Sequence, residues 1–163
     1  RMSRSYAIPR LWPDRLTGWW HPVPMAQPNK SFEMGNKSVA AVEAGDKEGW
    51  IALFAPDGVV ADPVGPSLFD PEGNGHVGPE GIGAFFDAAI AGNQVRFEFR
   101  ERYPSGDECA NVVTITTTLP DGSKAIVDAV TVYKMAADGE HLASMKAYWS
   151  PDDMRFEPAP DAS

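Results

Sequence analysis

Asp62 closes the apolar run Val59-Val60-Ala61, stands directly before Pro63, and borders the glycine- and proline-rich stretch GPSLFDPEGNGHVG at 65–78. A carboxylate at a strand end in apolar surroundings has its charged form disfavoured, so its pKa rises and it becomes a usable general base. The same position suits an aspartate that caps the loop by accepting backbone N–H groups, and the local sequence leaves both roles open. Further along, VVTITTT at 112–118 puts Thr114, Thr116 and Thr118 on one face of a strand. If that face lines a cavity, its hydroxyls can donate to a ligand or accept from it, although β-branched residues suit a strand in any case. In AIVDAVTVY at 125–133, Asp128 and Thr131 are three residues apart and so face opposite sides of their strand. Asp128 is read as the outward one, solvated or paired across strands.

Other chemistries lack a starting point. His21, His76 and His141 lie far apart without metal-ligand spacing, and His76 is read as an exposed loop residue within reach of a pocket mouth. No metal site is expected. Cys109 has no cationic neighbour in sequence to activate it as a nucleophile. The chain contains no G-x-S-x-G, no P-loop and no G-x-G-x-x-G, which leaves serine hydrolase, NTPase and dinucleotide chemistry unsupported.

The elements that must position these residues follow from periodicity. KSVAAVEA at 37–44 reads as a short helix closed by Gly45, and Asp46 caps a second helix, DKEGWIALF, with Trp50, Ile51 and Phe54 on one face. VVADP at 59–63 reads as a short strand. Pro79 suits the first position of a helix through Ala91 that carries Ile82, Phe85, Phe86 and Ile90. After Gly92 the chain is strand-like at 94–102, 110–119, 124–135 and 141–149, with turns at Pro120-Asp121-Gly122 and Asp138-Gly139. Helices first and long antiparallel strands after them indicate an α+β fold, with a curved sheet wrapped around a helix-lined pocket.

Length and charge bound the rest. One domain accommodates 163 residues, and 43% hydrophobic with 23% charged content excludes wholesale disorder. A net charge of −9 works against binding a phosphate backbone, and no apolar run is long enough to span a bilayer, so neither nucleic acid nor membrane is an expected partner. A single cysteine forms no intrachain disulfide, which suits a reducing cytoplasm. The charge is uneven: residues 1–30 carry a net +4 and the remainder −13. That basic arm holds Trp12, Trp19 and Trp20 among five prolines, and is read as a strap on the domain or on a second subunit, the alternative being a partly disordered leader. The expected organisation is an arm at 1–30, an α+β domain at 31–151 and a tail at 152–163.

Three separated segments, FAPDGVVADPVG, HVGPEGIGAFFDAAIAG and SMKAYWS, together resemble the ketosteroid isomerases of the nuclear transport factor two-like, SnoaL-like superfamily. The likeness spans roughly residues 37–150 in the right order. It implies a cone-shaped fold, usually a homodimer, with one hydrophobic pocket per subunit and no cofactor. This fold also hosts dehydratases, cyclases, epoxide hydrolases and non-catalytic binders. The family's base is the aspartate of a strand-ending Asp-Pro, which falls on Asp62. Its pocket aromatics fall on Phe54, Phe85, Phe86 and Trp149, with Met145 and Ala147 beside them. Its oxyanion donors are a first-helix tyrosine and a protonated aspartic acid, itself a worked case of pKa tuning. Those two positions fall here on Ser38 and Thr131, so both donors become aliphatic hydroxyls, which Thr114 and Thr116 could join. The resemblance thus implies proton transfer on a steroid-like or polyketide-like enone, a small hydrophobic ligand. Dehydration, cyclisation or hydrolysis in the same pocket, and ligand binding without catalysis, are the alternatives.

Overall fold

A computed structural model of the chain describes residues 27–160, so the expected strap role of the arm falls almost entirely outside the described residues. The fold is α+β: helices α1 (Lys30–Ala44), α2 (Lys47–Ile51) and α3 (Gly78–Phe85) accompany a seven-stranded sheet. Its strands are β1 (Phe54–Ala61), β2 (His76–Val77), β3 (Gln94–Ser105), β4 (Glu108–Thr118), β5 (Lys124–Met135), β6 (Leu142–Tyr148) and β7 (Arg155–Glu157). The order is β2-β1-β6-β5-β4-β3, antiparallel except for the β1–β6 pair, and β7 pairs the free stretch of β5 at 124–126. The segment expected as a tail therefore contributes a strand to the sheet.

Local chemistry explains the helix ends. The Asn29 side chain accepts from the Phe32 N–H at 2.9 Å and starts α1, while Gly45, at φ 70°, supplies the left-handed residue that ends it. Ser31, Met34, Gly35, Ser38 and Val42 are the buried residues of α1 and recur at helical spacing, so one narrow, small-residue face meets the sheet. This helix begins seven residues earlier than the sequence periodicity indicated, because Ser31 and Gly35 serve close packing and do not register as apolar. Asp46 caps α2 by accepting from Gly49 N–H at 2.9 Å. That helix stops at Ile51, and Phe54 opens β1 where a continuous helix was expected. The expected helix through Ala91 is α3 followed by a π-helical turn, Phe86–Ile90.

The core lies between the helices and the concave face of the sheet. Trp50, 1% exposed, sits at its centre, edge-on to Phe54 and tilted against Phe85 and Phe86. Val60, Ile82, Val113, Leu142 and Ala147 are sealed completely. Helix α1 contacts β3, β4 and β5, and α3 contacts β1, so the helices lie against both halves of the sheet.

Candidate functional site

Where the core is not filled it leaves a partly enclosed cavity, about 530 Å³ when the open space at its mouth is counted. Val42, Phe85, Phe97, Ile115 and Met145 give it an apolar wall, while Ser38, Asp62, Thr117, Thr131 and Tyr133 bring the polar groups. Alternation along the strands decides which residues face inward. In β4 the inner face carries Cys109, Asn111, Val113 and Ile115, and β5 presents Ala129, Thr131, Tyr133 and Met135.

Asp62 follows β1 directly and continues the inward face of Val60. Its Oδ1 accepts from the Trp149 indole N–H at 2.6 Å. Because Asp62 borders the cavity, part of its surface stays accessible, yet protein surrounds the carboxylate closely enough to desolvate it. That burial raises its pKa from 3.8, against the opposing pull of the Trp149 hydrogen bond and of His76 nearby. His76, read from sequence as an exposed loop residue, is half-buried with its ring 4.8 Å from that of Phe85. Among the described residues, no group of His, Cys, Asp and Glu is arranged to hold a metal ion.

The polar end of the cavity is built from hydroxyls. Ser38 is 2% exposed and its Oγ accepts from Trp50 Nε1 at 2.8 Å. Thr131, 3% exposed, accepts at Oγ1 from Asn111 Nδ2 at 3.3 Å. Tyr133, also 3% exposed, has its phenol pushed up to about 12. Burial is the main cause; the Ser38 hydroxyl that meets it acts downward, and Asp62 acts upward.

Of the residues singled out from sequence, Ser38, Asp62, Phe85, Thr131 and Met145 line one cavity, and Trp149 joins them through Asp62. Phe54, Phe86 and Ala147 lie behind the wall as buried packing. Thr114 and Thr116 are a correction: they point to the outer face, because Val113 and Ile115 take the inner one. There Thr114 donates to Asp128 Oδ1 at 2.6 Å, and Arg155 reaches Asp128 Oδ2 at 2.7 Å, so the outward reading of Asp128 holds. Tyr133 and Trp50 were missed as lining residues. Strand parity was the available signal for Tyr133, which stands two residues from Thr131 and so shares its face.

The SnoaL-like domain family matches residues 36–145. A steroid Delta-isomerase from Nocardioides simplex is 33% identical over 119 residues, covering 73% of this chain and 89% of that protein. The crystal structure of a Delta 5-3-ketosteroid isomerase from Mycobacterium sp. superposes with a TM-score of 0.76 at 33% identity, covering 80% of this chain and all of that one. A Mycobacterium tuberculosis protein solved in complex with estradiol-17beta-hemisuccinate superposes at 0.74 with 35% identity, over 79% of this chain and all of that one.

Proposed function

The chain belongs to the SnoaL-like domain family, and on that premise we propose that it moves a proton between two carbons of a steroid-like or polyketide-like enone, with Asp62 as the base. The observation that carries the proposal is the Asp62 carboxylate: desolvated, held by Trp149, and bordering a cavity with an apolar wall. In the first half of the reaction a C–H bond beside the ligand's carbonyl breaks. Its proton passes to Asp62 and its electron pair spreads onto the carbonyl oxygen. In the second half Asp62 returns the proton to the far carbon of the conjugated system, so the double bond moves and the mass is unchanged. A raised pKa serves both halves, because the group must take a weakly acidic proton and then release it. Phe85 and Met145 hold the rings and keep water out, and Ser38, Thr131 and Tyr133 make the polar end where the oxyanion develops. The step needs a base and an electrostatic partner, and draws on neither metal nor cofactor.

The test is turnover of a β,γ-unsaturated 3-ketosteroid, followed by the ultraviolet absorbance of the conjugated enone. Asp62→Asn is expected to lower kcat by roughly 10²–10⁴-fold with steroid affinity retained. Equal turnover in that variant refutes Asp62 as the base. A second reading, steroid binding without catalysis, draws support from the relative solved with an estradiol derivative. It predicts steroid quenching of tryptophan fluorescence with no product after long incubation. Product mass separates isomerisation from hydration or dehydration chemistry. A second copy of this chain belongs to the same proposal: Val130 and Tyr148, cross-strand neighbours on the outer face, are 40% and 48% exposed. Sedimentation at micromolar concentration reads out that dimer, and Tyr148→Glu is expected to shift it toward monomer.

A further inference from the structure

The position that corresponds to a first-helix phenol is Ser38, but a buried phenol stands next to it from another element. The ring of Tyr133 on β5 lies against α1 at Gly35, where a Cβ would come within 3.1 Å of Tyr133 Cδ2 and crowd the ring. One helical turn on, Ser38 lines the same cavity as Tyr133, and its hydroxyl acts to lower the pKa of the phenol. Behind Ser38 is the Trp50 indole, a group that can only donate, and it occupies Ser38 Oγ as acceptor at 2.8 Å. With that acceptor role filled, the serine's proton is available to the Tyr133 oxygen, and a phenol that accepts it has its own proton free for the cavity that Tyr133 lines.

A parallel arrangement supports Thr131. Arg102, also a pure donor, holds Asn111 Oδ1 at 2.8 Å, which settles the orientation of that amide. Asn111 Nδ2 therefore faces Thr131, shared among Cys109 O and Thr131 O at 3.2 Å and Thr131 Oγ1 at 3.3 Å. Arg102 is itself fixed between the rings of Phe32 and Phe99, at 3.7 and 4.5 Å from their centroids. Thr131 and Tyr133 thus stand two residues apart on the inner face of one strand, and both line the cavity.

We infer that Tyr133 is the principal hydrogen-bond donor to the carbonyl oxygen of the bound ligand, with Thr131 as a second donor and Ser38 as the positioning residue that orients the phenol. This rests on the proton-transfer reading for the nature of the ligand, but not for the existence of the donor site. The phenol remains protonated at neutral pH, as a donor must, because burial holds its pKa high.

The experiment uses the conjugated 3-ketosteroid product as probe, since a hydrogen bond to an enone oxygen moves its ultraviolet band to longer wavelength. Tryptophan quenching confirms occupancy in each variant, and melting curves confirm that each is folded. The bound band is expected to be red-shifted in the wild type and in Asp62→Asn. In Tyr133→Phe the shift is expected to be lost although quenching persists, and kcat to fall by roughly 10²–10³-fold with KM little changed. Thr131→Val and Ser38→Ala are expected to reduce the shift without abolishing it. A Tyr133→Phe variant that keeps the full red shift and turnover overturns the inference while leaving Asp62 as base untouched. A wild type that shows the shift without turnover, with the shift lost in Tyr133→Phe, upholds the donor site and overturns only the isomerisation reading. Absence of any shift on the bound enone in the wild type overturns the inference outright.

Discussion

Replacing Asp62 by Asn is expected to stabilise the fold while removing the proposed base, and the stability effect carries its own pH signature. Asn keeps a carbonyl oxygen to accept from Trp149 Nε1, so the 2.6 Å hydrogen bond survives and the side-chain volume barely changes. What is lost is a charge whose hydration folding removes. The folded pKa of Asp62 lies above 3.8, chiefly because burial desolvates the carboxylate. Between the unfolded and folded pKa values the folded state therefore binds more protons than the unfolded state, so stability falls as pH rises through that window. The penalty is absent below the unfolded value and complete above the folded one. Each unit of upward shift corresponds to about 1.4 kcal/mol. In a domain of this size each kcal/mol moves Tm by roughly 3–4 °C. The assay is thermal unfolding of wild type and variant at matched pH between about pH 3.5 and 7.5. Asp62→Asn should show its greatest gain in Tm over the wild type at neutral pH, shrinking as the pH falls through the window. The same group should set the acid limb of kcat/KM, displaced upward from the ordinary aspartate value. A Tm difference that is flat with pH, or a variant less stable than the wild type at neutral pH, refutes the desolvation argument.

Ser38→Ala strands the Trp50 indole N–H in a residue only 1% exposed, at a cost of about 1–3 kcal/mol and hence a Tm loss of roughly 3–12 °C. An unchanged Tm in differential scanning calorimetry contradicts that account of the buried hydrogen bond. Asp128→Asn should leave steroid turnover unchanged, because Asp128 sits on the outer face among Thr114, Arg100 and Arg155. Its effect on Tm should be small and should fade with added salt, and loss of turnover would contradict its placement outside the site.

Particular residues show what the sequence could and could not reveal. The strand-ending Asp-Pro of Asp62 was legible because it is a local pattern, but the residues that share its cavity, such as Phe85, Tyr133 and Met145, are distant in sequence, so its burial was not. The fold was legible for a similar reason, since helical and alternating periods are local. Thr114 and Thr116 went wrong because chemistry was allowed to outrank burial: hydroxyls suggested a ligand face, yet Val113 and Ile115 are the residues whose burial orients β4. Phe54, Phe86 and Ala147 share the apolar character of the true lining residues, and only packing separates a cavity wall from the core behind it. Tyr133 required joining strand parity to a contact between β5 and Gly35, ninety-eight positions apart, which no local pattern contains.

The sheet also separates two carboxylates by chemistry. Asp128 has its pKa lowered, first by the hydrogen bond from Thr114 and then by Arg155, so it stays ionised and engaged on the outer face. Asp62 has its pKa raised by burial on the inner face, where its side-chain hydrogen bond is from a neutral indole and His76 adds a smaller downward pull. Had the two environments been exchanged, the inner carboxylate would be too weak a base to take a carbon-bound proton, and the outer one would have no ligand to act on. The Trp149 contact bears on this balance: a neutral donor orients the carboxylate and lowers its pKa only partway, whereas an arginine in that place would fix the charge. Trp149→Phe removes the orienting donor and retains the apolar cover. Its expected result is an acid limb of kcat/KM displaced to higher pH together with a lower plateau, read from a full pH–rate profile. A limb displaced to lower pH contradicts the assignment of the indole as the group that restrains the pKa of Asp62.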